Sequence, residues 1–74
     1  MKSIYFTRHA RRRMKWRNIS EEEVKETIAR PEKIEGLSEQ KINAFKSMGK
    51  ELIRVTYLEQ NNRIVVISVV DKNK

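Results

Sequence analysis

The chain of 74 residues contains no cysteine, one histidine, one proline and no long uninterrupted apolar run. Without cysteine, neither a disulfide framework nor a cysteine-based zinc site can reinforce the fold. The lone histidine, His9, leaves too few ligands for a metal ion, so we predict no metal and no cofactor. No segment approaches the roughly 20 apolar residues that span a bilayer. We therefore expect a soluble cytoplasmic protein without a membrane partner.

Acidic residues are also absent from the first 18 positions, which carry seven Lys or Arg residues. The chain has a formal net charge of +7, and the remaining positions hold ten basic and ten acidic side chains, so the whole excess lies at one end. Such a cluster predicts a polyanionic partner, most commonly nucleic acid. A solvated basic face that improves solubility is the alternative. Anionic lipid is a weaker rival, because only Met14 and Trp16 provide apolar anchors in this segment.

Two helices are predicted in the first half of the chain. Thr7 is placed to cap the first, a helix of about ten residues that turns Ala10, Met14 and either Arg17 or Trp16 inward. In "NISEEEVKETIARPE", Ser20 and Glu23 have the spacing of a capping box that opens the second helix. The buried stripe of the second helix is predicted to be Ile19, Val24 and Ile28, and Pro31 is predicted to end it.

After Pro31 the apolar pattern changes to a period of two, which is typical of strands. "KINAFKSM", "ELIRVTYLE" and "RIVVISVVD" are the main candidates, "KIEGL" is a weaker one, and "SIYF" is either a first strand or an apolar lead into the first helix. "QNN" has the polar composition of a hairpin turn between the last two. We predict a single α+β domain, residues 1–74, with two N-terminal helices packed on a three- or four-stranded antiparallel sheet.

Two segments resemble known families. The opening "FTRHARRRMKWRNISEEEV" resembles a small prokaryotic family of uncharacterised domains, whose hallmark residues correspond here to His9, Ala10, Met14, Arg17, Ile19 and Ser20. The closing "ELIRVTYLEQNNRIVVISVVDKNK" resembles the terminal hairpin of the RelE/ParE superfamily, the toxins of toxin–antitoxin pairs. This resemblance implies a compact RelE/ParE-like fold. For RelE-like members it also implies cleavage of messenger RNA on the ribosome and neutralisation by an antitoxin, whereas ParE-like members act on topoisomerase.

Metal-independent cleavage of RNA through its 2′-hydroxyl requires a base, an acid and cations that stabilise the phosphorane. His9 is the candidate base or acid, because an imidazole readily exchanges a proton near neutral pH. Arg13 lies one turn further along the same helical face. Arg54 is a second candidate cation, and Tyr57 is a candidate proton donor or stacking ring. The strand pattern places Arg54 and Tyr57 on opposite faces of the sheet.

The predicted catalytic residues are thus His9, Arg13, Arg54 and Tyr57, and the predicted nucleic-acid-binding residues are Arg8, Arg11, Arg12, Lys15 and Arg17. Three of these residues, and Trp16 beside them, have structural alternatives: His9 caps or packs the helix, Arg17 pairs with Glu21 or Glu22, Tyr57 is core, and Trp16 packs against the sheet or is partly exposed. The leading hypothesis is a toxin-like endoribonuclease that acts on RNA rather than DNA. A non-catalytic RNA- or DNA-binding module and a domain that binds an acidic antitoxin segment remain as alternatives.

Overall fold

The structure, a computed structural model, describes residues 2–72. Its elements are β1 (Ser3–Phe6), α1 (Arg8–Arg17), α2 (Glu21–Ala29), β2 (Lys33–Gly36), β3 (Lys41–Met48), β4 (Glu51–Glu59) and β5 (Arg63–Asp71). The predicted α+β class with two N-terminal helices is confirmed. Residue 1 and residues 73–74 of the predicted domain lie outside the described residues. Between residues 2 and 72, neither helix is long and apolar enough to cross a membrane.

The start of α2 follows from the residues that flank it. The Glu23 backbone N–H donates to Ser20 Oγ at 3.1 Å, and the Ser20 backbone N–H donates to Glu23 Oε1 at 2.9 Å. The predicted capping box is therefore confirmed, and it satisfies two N–H groups that lack helical partners. The helix ends at Ala29, with Arg30 outside helical geometry, because a residue before proline disfavours the helical region.

The five strands form one sheet in the order β1-β5-β4-β3-β2. The last four are antiparallel neighbours, whereas β1 lies parallel to β5, with Ser3 opposite Arg63 and Phe6 opposite Val66. The predicted three- or four-stranded antiparallel sheet was therefore wrong in strand number and in the direction of β1. The "SIYF" segment is an edge strand, and "KIEG" is the strand at the other edge.

A bulge interrupts the pairing of β4 with β5. Thr56 lies opposite Ser68 and Tyr57 lies opposite Val66, so Ile67 is an extra residue in β5. Val66 and Val69 are both fully buried in the core although they are three residues apart. In a regular strand an odd spacing puts two side chains on opposite faces, and the bulge is what returns Val69 to the same face as Val66.

Both helices pack on the same face of the sheet. Their buried side chains, such as Met14 and Val24, join Ile53, Val55 and Val66 in one hydrophobic core. The opposite face carries no helix within residues 2–72. The sheet therefore has one covered face and one open face, as is common for antiparallel sheets.

Candidate nucleic-acid interface

Thr7 joins the start of the basic helix α1 to the sheet. Its hydroxyl accepts a hydrogen bond from the Ala10 backbone N–H at 3.1 Å, which confirms the predicted N-cap. The same hydroxyl donates to the Val66 carbonyl oxygen at 2.9 Å, so the start of α1 is tied to β5. At the other end, Asn18 adopts a left-handed conformation with φ of 58°, and its N–H reaches back to the Lys15 carbonyl.

The two sides of α1 differ completely in character. Ala10 and Met14 are buried in the core, as predicted, and the half-buried Arg17 follows them at the same helical spacing. The opposite side, which we call the outer face, consists of Arg8, His9, Arg12, Arg13, Lys15 and Trp16. All of these except Arg8 line one open depression along the helix. The outer face therefore combines four cations, one imidazole and one indole.

The cations of the outer face lack the acidic partners found elsewhere. Among residues 2–72, Arg8, Arg12 and Lys15 form no salt bridge, whereas Arg11 Nη1 lies 2.8 Å from Glu21 Oε2. The alternative in which Arg17 pairs with Glu21 or Glu22 is not found, and Arg11 pairs with Glu21 instead. Arg17 instead has a buried Nε without a hydrogen-bond partner. The positive charge of α1 is thus neutralised on the flank that faces α2 and remains uncompensated on the outer face.

His9 is exposed and its side chain forms no hydrogen bond or ion pair with residues 2–72. The structural alternative, in which His9 packs or caps the helix, does not hold, because Thr7 is the cap. The imidazole is open to solvent and shares the depression with Arg12 and Arg13. No group of three His, Cys, Asp or Glu residues in the described chain is arranged to bind a metal ion.

Arg54 lies far from His9, on the open face of the sheet. Its neighbours Ile53 and Val55 are fully buried against the helices, so the alternation of β4 turns Arg54 to the other side. There it pairs across the strands with Phe45, whose ring centroid lies 5.5 Å from Lys33 Nζ. Arg54 Nε is buried without a hydrogen-bond partner. Arg54 therefore lies beside Phe45 and Lys33 on the open face of the sheet, and not on the outer face of α1.

Tyr57 lies on the helix-facing side of the sheet and is only 5% exposed. It lines a cleft between α2 and the sheet, together with Glu26, Ile28 and Glu59. Burial, reinforced by the Glu59 carboxylate, raises the pKa of Tyr57 above its ordinary value. The phenol therefore stays protonated at neutral pH. The structure thus brings His9 together with Arg13, but it places Arg54 and Tyr57 in two other regions.

The sequence reasoning missed the surface around Phe45 on the open face. Lys72 Nζ lies 5.8 Å from the Phe45 ring, on the same ring that Lys33 approaches. Beside it runs a polar chain in which Thr56 Oγ1 donates to Asn43 Oδ1 at 2.6 Å and Asn43 Nδ2 donates to Glu35. The period of two in β3 places Asn43 and Phe45 on one face and was the available signal. The position of Lys33 beside Phe45 could not be predicted in this way, because it depends on the pairing of β2 with β3.

The comparisons with known proteins give a family and no described activity. Residues 6–71 match the family described as "Domain of unknown function (DUF4258)". Neither the curated proteins nor the solved structures yielded a match. The resemblance to RelE/ParE toxins and the opening motif consequently rest on the sequence alone, whereas membership of a family of uncharacterised domains is confirmed. Because the match covers nearly the whole chain, the chain belongs to the DUF4258 family.

Proposed function

We propose that this protein binds RNA through the outer face of α1. The observation that carries the proposal is the set of four cations on this face, of which Arg8, Arg12 and Lys15 have no partner among residues 2–72. Unpaired guanidinium and ammonium groups on one face of a helix suit the phosphates of a nucleic-acid backbone, which they contact without regard to sequence. The helix contains no acidic residue that would repel the backbone.

Binding of this kind depends strongly on salt, because each phosphate contact releases condensed counterions. Four contacts with single-stranded RNA give a slope of about −3 in a plot of log K against log salt concentration. We expect Arg12→Gln and Arg13→Gln each to weaken binding and to reduce this slope by about 0.7. Fluorescence anisotropy of a labelled RNA, measured over a series of salt concentrations, gives both quantities.

Lys25→Gln is the matched control for these variants. It removes one positive charge from an exposed position on α2, away from the outer face. We expect its affinity to change only slightly and its salt slope to equal that of the unsubstituted protein. If Lys25→Gln weakened binding as much as Arg12→Gln, binding would depend on net charge alone and the outer face would not be the interface.

A toxin-like endoribonuclease is the second candidate, favoured by the exposed imidazole of His9 beside Arg12 and Arg13. In this scheme His9 removes the proton of the 2′-hydroxyl and the guanidinium groups stabilise the charge on the phosphorane. Since Tyr57 lies in the core, the leaving 5′-oxygen takes its proton from solvent. The resemblance to RelE-like toxins motivates the choice of substrate, messenger RNA on translating ribosomes.

Incubation with RNA and with translating ribosomes in EDTA tests the catalytic proposal. We expect cleavage by the unsubstituted protein, none by His9→Ala, and slower cleavage by Arg12→Ala through weaker binding. Circular dichroism checks that His9→Ala is folded, which we expect because His9 is exposed. RNA binding with no cleavage by any of these proteins would leave α1 as a binding surface and reject the catalytic role of His9.

A further inference from the structure

The single tryptophan of the chain is unusually exposed. Trp16 lies on the outer face of α1 with 77% of its surface accessible. Of the two structural alternatives for this ring, packing against the sheet does not hold, because the ring is exposed. Ala10 and Met14 are the buried residues of α1, and Trp16 lies on the other side of the helix. Among the large apolar side chains of residues 2–72 it is the most exposed, and it lies beside the cations at the C-terminal end of the outer face.

The surroundings of Trp16 are those of a stacking platform. Arg13 Cζ lies 5.9 Å from the centroid of the indole, so the guanidinium supports the ring while leaving most of it accessible. Arg12 precedes Trp16 by one helical turn, and His9 precedes it by about two, on the same side of α1. An accessible aromatic ring beside a row of cations is how proteins bind single strands: the cations contact phosphates and the ring stacks on a base.

We propose that Trp16 stacks on an unpaired base, so that α1 binds single-stranded RNA in preference to duplex RNA. This inference rests on the proposed binding of RNA by the outer face, and it adds the class of RNA. In a duplex the bases are stacked on one another, and the deep major groove of A-form RNA does not admit side chains to them. The indole reaches the flat surface of a base only where that base is splayed out of a helix.

The fluorescence of Trp16 is a direct test, because no other tryptophan contributes to the emission. The titrants are a single strand of about ten nucleotides, long enough to span the ~15 Å of α1, a duplex of the same sequence, and inorganic polyphosphate as a polyanion without bases. We expect saturable quenching by the single strand and little change with the duplex or with polyphosphate. Equal quenching by polyphosphate would overturn the inference, because it would show that charge alone affects the indole.

Two substitutions of Trp16 provide a second readout by fluorescence anisotropy of labelled RNA. Trp16→Ala is expected to bind the single strand roughly 5- to 150-fold more weakly, as for loss of one stacked base. Its affinity for polyphosphate, measured by competition with labelled RNA, should be unchanged. Trp16→Phe retains a smaller ring, so its affinity for the single strand should lie between those of Trp16→Ala and the unsubstituted protein. The matched control is Tyr5→Ala, which removes another exposed aromatic ring with an arginine, Arg63, 5.8 Å from its centroid.

The possible outcomes separate this inference from the function on which it rests. Salt-dependent RNA binding that is the same in Trp16→Ala and in the unsubstituted protein would reject stacking and leave the phosphate contacts standing. Failure to bind any RNA would reject both proposals. Equal affinity for single strand and duplex would reject the stated preference. If Trp16 instead binds a protein partner, the single strand would not quench its fluorescence. That result would also overturn the inference.

Discussion

Replacement of Thr7 by alanine should destabilise the protein more than its half-buried position suggests. The hydroxyl accepts a hydrogen bond from the Ala10 N–H at the start of α1 and donates its proton to the Val66 carbonyl in β5 at 2.9 Å, with a longer contact to the Ile67 carbonyl at 3.4 Å. Loss of the helix cap costs about 1 kcal/mol, and loss of the second hydrogen bond costs about 1 kcal/mol more. The Val66 carbonyl retains the Thr7 backbone N–H at 3.1 Å, so it is not left unpaired. We therefore expect a decrease of about 2 kcal/mol in the free energy of unfolding.

For a domain of this size, such a loss lowers the melting temperature by roughly 8 to 16 °C. Thermal unfolding followed by far-ultraviolet circular dichroism, together with urea titration, measures both quantities. Thr7→Ser is the matched control, because it keeps the hydroxyl and loses only one partly buried methyl group, at a cost below about 1 kcal/mol. If Thr7→Ser were as unstable as Thr7→Ala, the two hydrogen bonds would not be the source of the stability. A loss below about 0.5 kcal/mol in Thr7→Ala would refute the reasoning directly.

Three further predictions concern the sheet. Burial and Glu59 raise the pKa of Tyr57, so the stability that its neutral phenol provides is complete below about pH 10 and is lost as the pH rises through the raised value. Above pH 10, the free energy of unfolding should therefore fall less steeply in Tyr57→Phe than in the unsubstituted protein. Urea titration measures this difference. Thr56→Val removes the donor to the buried Asn43 Oδ1 and should cost about 1 to 3 kcal/mol in the same assay. Ile53→Val, at a fully buried position, should cost about 0.5 to 1.5 kcal/mol, and an unchanged melting temperature would contradict the packing described here.

The helices were predictable because their signals are local. Thr7 and Ala10 are three residues apart, as are Ser20 and Glu23, so each cap is complete within a single turn of sequence. The spacing that buries Ala10 and Met14 is equally local. The cationic character of α1 could be deduced for the same reason, but the pairing of Arg11 with Glu21 and the exposure of Trp16 could not.

The sheet was only partly predictable, because its remaining features depend on distant residues. The parallel pairing of Ser3 with Arg63 joins the two ends of the chain, and no short pattern specifies it. The strand β2 is exposed at every position and therefore shows little apolar alternation. The bulge at Ile67, which turns Val66 and Val69 to one face, also has no local signal in "RIVVISVVD".

The candidate site illustrates the same limit. Arg54 and Tyr57 were expected on opposite faces of β4, and the structure places them so, which leaves neither of them beside His9. Whether a helix and a strand contribute to one site depends on which sheet face the helix covers. The sequence contains no local signal for that choice, and α1 covers the face of Val66 while its outer face points away from the sheet.

The parallel pairing of β1 with β5 also has a consequence for the order of folding. The strands β3, β4 and β5 are joined by short turns, so their pairing closes small loops at little entropic cost. The pairing of β1 with β5 closes nearly the entire chain, and such non-local contacts form slowly. The hydrogen bond from Thr7 to the Val66 carbonyl forms only after this pairing, because Thr7 directly follows β1 in the chain. We therefore expect β3, β4 and β5 to pair first and α1 to dock last, so the outer face of α1 reaches its final position only as the chain completes its native topology.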